Sequence, residues 1–251
     1  MFVDEMRFAE ACERVKTGQR LISGIGTVSE GTVQAVLKNY YEPYTDSQEQ
    51  SIGGYIADIV GEKGIVEIQT GRFGNLSQKL SAFLNAAHVT IVYPIYTTKI
   101  MVNVDGETGE VLRRRKSPIH DAPEKIFREL FPISEFLLSE RLSIDIVSLE
   151  VDEIRISAAA LGKKPRRGGR LSVYDRVPTR LMGITEIASP RDWAKLLPCI
   201  YETDFTAVDA AKYMSSEYAS AAVGLLYRGG ILERTGKKGR AYTYSLKTTF
   251  F

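Results

Sequence analysis

Residues 52–84, IGGYIADIVGEKGIVEIQTGRFGNLSQKLSAFL, constrain the fold of this chain more than any other stretch. Two short apolar runs, 55–60 and 65–70, flank Gly61-Glu62-Lys63-Gly64, which reads as a turn between two strands. A hairpin symmetric about Glu62-Lys63 pairs Val60 with Ile65, Ile59 with Val66 and Asp58 with Glu67. Side chains alternate along a strand, so Asp58, Glu67 and Gln69 share one face while Ile59, Val66 and Ile68 share the other. Opposed carboxylates on adjacent strands repel. Either a positive group sits between them or one of them holds a proton. A divalent cation is the simplest such group.

Two readings of this face stay open on the residues alone. One is a metal-dependent phosphodiester site. Mg²⁺ takes oxygen ligands, commonly one or two carboxylates completed by phosphate oxygens and water. It polarises phosphate and lowers the pKa of an attacking water, which Gln69 could orient. The other is the solvated face of an antiparallel hairpin, where Asp, Glu and Gln are ordinary residues.

The elements around the hairpin point to an α/β core. Phe8, Ala11, Cys12 and Val15 predict a helix over 3–16. A second is expected to begin near Thr27, where Thr27-Val28-Ser29-Glu30 reads as a capping box, and to end before Pro43. Leu76, Leu80, Phe83 and Leu84 predict a helix after the hairpin, and 89–95 a buried strand. A further strand is expected in 21–25 or just before Tyr55. Beyond Lys99 the pattern gives a hairpin over 100–115, a helix near 122–131, separate strands at 142–149 and 153–158, and a loop at 162–169. Pro190 and Pro198 bracket a short helix carrying Trp193.

The last sixty or so residues change character. Helices over 205–214 and 216–227 are followed by a hairpin turning at Gly236-Lys237-Lys238-Gly239. Two helices and a β-hairpin are the sequence form of a winged helix-turn-helix. Lys237, Lys238 and Arg240 would then meet a DNA backbone without reading its sequence. The second helix is rich in Ala and Ser and lacks the Arg, Asn and Gln usual for base readout. The expected division is an α/β domain over 1–190, with its core in about 20–100 and an extension over 100–190, and a winged-helix domain over 191–251.

A net charge of +2 does not by itself indicate nucleic acid, but its distribution is uneven. Lys163, Lys164, Arg166, Arg167, Arg170, Arg176 and Arg180 surround a single acid, Asp175. That stretch reads equally as a phosphate-tracking loop or a solvated one. No apolar run approaches a membrane span, and the acidic N-terminus is unlike a signal peptide. Cys12 and Cys199 are scattered and the only histidines are His88 and His120. This argues against a disulfide framework or a Cys/His zinc site. The expected location is the cytoplasm.

Helix, hairpin with Asp58 followed nine residues later by Glu67-Ile68-Gln69, then helix and strand, resembles the PD-(D/E)XK nuclease superfamily over about residues 27–95. The resemblance implies a restriction-endonuclease-like mixed sheet flanked by helices. It also implies Mg²⁺ or Mn²⁺ held by Asp58 and Glu67, and hydrolysis of DNA; an RNA-processing nuclease is a further reading. Ala57 stands where the motif has Pro, and Gln69 stands where a lysine helps activate water. Many relatives add a Glu from the first helix, a place Glu30 matches as an alternative to its capping role. Arg72 and Lys79 are candidates for phosphate contact, or for supplying the missing lysine's charge from another direction. Dimers are common in that superfamily, so a homodimer is a further expectation. The alternative is a nuclease-fold DNA-binding or assembly protein whose site has decayed, with Gln69 as the trace.

Overall fold

The computed structural model describes residues 4–21, 31–161 and 171–250. They form an α/β fold, a large mixed sheet flanked by helices, with a separate two-stranded sheet near the C-terminus. The chain divides into two compact units, each gathered from three stretches. One comprises Met1–Asp46, Pro94–Ala122 and Val147–Ile184; the other comprises Ser47–Tyr93, Pro123–Ile146 and Thr185–Phe251. The units thus interleave along the chain, a different partition from the expected boundary at residue 190.

The second unit holds the hairpin. Strands β1 (Gln48–Ile52), β2 (Tyr55–Gly61) and β3 (Gly64–Ile68) form a meander, and helix α3 (Leu76–Ala86) leads from β3 to β4 (Val89–Val104). Here β1 is the strand expected just before Tyr55. The β2–β3 register is the expected one, with Ile59 opposite Val66 and Val60 opposite Ile65. Strand β3 then runs parallel to β4, Glu67 opposite Ile91. A parallel pair needs a crossover, and α3 supplies it. Leu76, Leu80, Phe83 and Leu84, the predicted apolar stripe, are all buried.

In the first unit, α1 (Glu5–Leu21) runs past the expected end at residue 16, and α2 (Thr32–Tyr41) begins later than Thr27. Gly31 offers α2 no side-chain cap. Asp175 does so from a distant strand, accepting the Thr32 N–H at 3.3 Å and the Thr32 hydroxyl. The single acid of the basic stretch therefore has a structural task. The proposed capping box, Glu30 with it, lies outside the described residues, as do the 162–170 cations.

The middle of the chain is more strand-rich than the sequence suggests. The two predicted strands after residue 142 are one, β6 (Leu142–Ser157), because Glu150, Asp152 and Ile154 alternate with the buried Leu149, Val151 and Glu153 and no turn intervenes. Likewise β4 absorbs both 89–95 and 100–104, carrying Pro94 within it. Strand β7 (Leu171–Ile187) was hidden by its cations and Pro178. The sheet order is β1-β2-β3-β4-β6-β7, with β5 (Val111–Lys116) on β4.

At the C-terminus, after the short α4 (Ile126–Glu129), α5 is a single turn, Ala207–Ala210, closed by a Thr206–Asp209 capping box. This is shorter than the predicted helix. Helix α6 (Ser216–Arg228) is capped by Ser215. Strands β8 (Leu232–Lys238) and β9 (Ala241–Leu246) complete the region. The hairpin turns at Gly239-Arg240, not at 236–239, because a bulge near Gly236 keeps β8 paired through Lys238.

Candidate active site

Asp58 stands on β2, Glu67 on β3 and Lys79 on the second turn of α3. Glu67 is only 5% exposed, which overturns the solvated-face reading for that residue. The cause is local. Strand β3 lies between two paired neighbours, and α3 brings Lys79 to within 2.5 Å of Glu67, Nζ to Oε1. The other oxygen, Oε2, is buried with no hydrogen-bond partner. A buried polar atom without a partner is uncommon and costs about 1–3 kcal/mol, so it needs an explanation.

The two carboxylates feel each other as the hairpin geometry predicted. Burial, then the Asp58 charge, push the Glu67 carboxyl up to about 7, against the lowering effect of Lys79. Asp58 is half-buried, and its Oδ2 accepts the Ile68 N–H at 2.7 Å. A backbone donor at the end of β3 is thus bonded to a side chain. Lys79 is the positive group that the opposed acids required, although it satisfies only one oxygen of Glu67.

The remaining predicted residues are arranged less tightly. Gln69 donates its amide Nε2 to the Arg72 carbonyl oxygen at 2.8 Å, tying the loop that leads into α3. Arg72 is exposed on that loop. Glu30 lies outside the described residues. Among the described residues, no group of three or more His, Cys, Asp and Glu side chains is placed to hold a metal ion. Asp58 and Glu67 fit instead the sparser carboxylate pair that suits Mg²⁺ when phosphate and water complete its shell. The unpartnered Glu67 Oε2 is the atom that fits such an ion.

In the C-terminal region Lys237 and Lys238 lie on β8 and Arg240 in the turn, all exposed. Helix α6 is packed along much of its length against residues 126–137. Glu217 pairs with Arg128 at 2.6 Å, and a Cβ at Gly229 would come within 2.9 Å of Leu137 and 3.1 Å of the Ser134 carbonyl. Ala219 and Ala222 on this helix are fully buried, so close packing explains these two small residues. Sequence reasoning passed over Arg234, whose signal was the row of tyrosines around it: Tyr227, Tyr242 and Tyr244.

No helix among the described residues is long and apolar enough to cross a membrane. No solved structure matches the chain. A relative from Treponema pallidum (strain Nichols), described as an uncharacterized protein, is 29% identical over 224 residues, covering 88% of this chain and 86% of its own length. Residues 31–188, which include Asp58, Glu67, Gln69, Arg72 and Lys79, match the model of a family described as "Domain of unknown function (DUF8091)". The chain belongs to that family.

Proposed function

We propose that this protein is a metal-dependent nuclease of the PD-(D/E)XK type, acting on phosphodiester bonds in DNA. The observation that carries the reading is the buried, unpartnered Oε2 of Glu67 beside the charge of Asp58. These two carboxylates would hold Mg²⁺ or Mn²⁺. The bound ion would polarise the phosphate and supply a more acidic water. Glu67, whose carboxyl is pushed up to about 7, would give up its proton where the cation is held. Lys79 contributes from α3 the charge that relatives take from the lysine two residues after the Glu. Residues 205–246 would serve as a winged helix holding substrate through Lys237, Lys238 and Arg240, with Arg72 at the approach to the site. The restriction-endonuclease-like arrangement of β2, β3, α3 and β4 is part of the same proposal, as is a cytoplasmic location.

A second reading has its own support. Gln69 is tied to a carbonyl and Lys79 already pairs with Glu67, which suits a nuclease fold that binds DNA without cutting it. One assay separates the two. The purified protein, Asp58→Ala and Glu67→Ala are incubated with labelled single-stranded, duplex and branched DNA, and with RNA, in Mn²⁺. Cleavage by the wild type that both variants lose supports the nuclease. Binding without cleavage, unchanged in either variant, supports the inactive reading.

A further inference from the structure

Strand β8 carries a bulge between Arg234 and Gly236. Residues three apart on a regular strand point to opposite faces, but an extra residue restores the parity. Arg234 lies opposite Tyr244 and Lys237 opposite Tyr242. Tyr242 and Tyr244 are two residues apart, so both cations share their face. Lys238, opposite Ala241, lies on the other.

On the shared face Arg234 is held by rings. Its guanidinium carbon is 4.0 Å from the Tyr242 ring centre and 4.4 Å from that of Tyr227, contributed by α6. Lys237 lies 4.8 Å from Tyr242. No carboxylate pairs with Arg234 or Lys237 among the described residues. Stacking occupies the flat faces of a guanidinium and leaves its in-plane N–H groups to donate. Tyr244, whose ring centre is 5.9 Å from the guanidinium carbon, favours its charged form. Three tyrosines thus orient a fork-shaped donor that has no anion of its own. The hairpin 232–246 holds Arg234, Lys237, Lys238 and Arg240 against one acid, Glu233.

We propose that the Arg234–Lys237 face of the β8–β9 hairpin binds the phosphodiester backbone of nucleic acid, with Arg234 as its anchor and Tyr227 and Tyr242 as positioning residues. This rests on the wing reading above and narrows it to one face. It does not depend on cleavage at Asp58 and Glu67. Arg favours phosphate because its rigid fork donates two parallel hydrogen bonds. Backbone contact of this kind carries no sequence information.

The test is fluorescence anisotropy with the full chain in EDTA, using labelled oligothymidylate and a mixed-sequence duplex over a range of salt. Arg234→Ala is expected to weaken binding about tenfold or more and to reduce the salt slope by about one. Arg234→Lys, which keeps the charge and loses the fork, is expected to weaken it less, and it stands in should Arg234→Ala not fold. Tyr242→Ala is expected to lower affinity with no change in net charge. Polyglutamate, a polyanion without phosphate, is expected to compete poorly. Wild-type affinity in both Arg234 variants, with loss in Lys238→Ala or Arg240→Ala, would overturn the proposal while leaving the wing reading in place. Absence of binding by the wild type would overturn both, and equal competition by polyglutamate would overturn the phosphate assignment.

Discussion

Lys79 places its ammonium 2.5 Å from one oxygen of Glu67, while the other oxygen, also buried, has no partner. One carboxylate is therefore half satisfied, by a residue twelve positions along the chain on the crossover helix. Removing one member of a buried pair strands the other. Lys79→Met is expected to lower stability by about 2 kcal/mol at pH 8. At pH 5, where Glu67 carries a proton, the loss should shrink. Urea unfolding at both pH values measures it, and adding Glu67→Gln should recover most of the loss at pH 8. An equal cost at both pH values would mean that packing of the lysine stem, and not its charge, sets the effect.

The Glu67 titration has a sign of its own. Its folded pKa is about 7 against an ordinary value of 4.5, so between those values the folded state binds more protons than the unfolded one. Stability from this group is then greatest at the acid end and falls as pH rises to about 7. The gap corresponds to roughly 3 kcal/mol. In EDTA, the difference in stability between wild type and Glu67→Gln should move in the variant's favour across that window and level off above it. A difference that stays flat from pH 4.5 to 7 would contradict the buried, Asp58-facing placement of this carboxylate.

Metal binding should act against that proton. Under the proposed function Mn²⁺ would bind the ionised pair, so it should raise the melting temperature of the wild type more at pH 8 than at pH 6. At a concentration a hundredfold above the dissociation constant the gain is about 2.7 kcal/mol. Asp58→Asn and Glu67→Gln should lose this response while remaining folded. A wild type whose melting temperature ignores Mn²⁺ at both pH values removes the cation from the site.

Much of this site was legible because a short hairpin fixes its own register. Gly61 and Gly64 set the turn, and the pairing of Ile59 with Val66 follows from counting. Burial of Glu67 was not legible from that pairing. It depends on β3 gaining a second neighbour, β4, from beyond α3, and strand polarity alone says nothing of what covers a face. The same limit explains β7, where Asp175 looks like an exception within a basic stretch until α2 needs a cap. The bulge in β8 shows it again. Gly236 reads as a turn residue, yet it keeps the strand paired and returns Arg234 and Lys237 to one face. Local chemistry predicted elements; partners distant in the chain decided their length and burial.

Gly64 provides the sharpest test of how β3 is seated. Its φ of +107° is unfavourable for any side chain, and a Cβ there would lie 2.3 Å from the His88 carbonyl oxygen. That oxygen accepts the Ile65 N–H at 2.8 Å, the contact from which the parallel β3–β4 pairing starts. Gly64→Ala must therefore push β3 away from the strand that fixes Glu67 opposite Ile91. The expected cost is about 3 kcal/mol or more, from backbone strain and overpacking together. Gly54→Ala is the matched control, since its φ is +85° but its Cβ would meet nothing within 4 Å. It should lose only about 1–2 kcal/mol, the cost of the left-handed conformation itself. Urea denaturation of the two variants compares them directly. If Gly64→Ala proves no more costly than Gly54→Ala, the close approach to His88 is not what holds β3 in place.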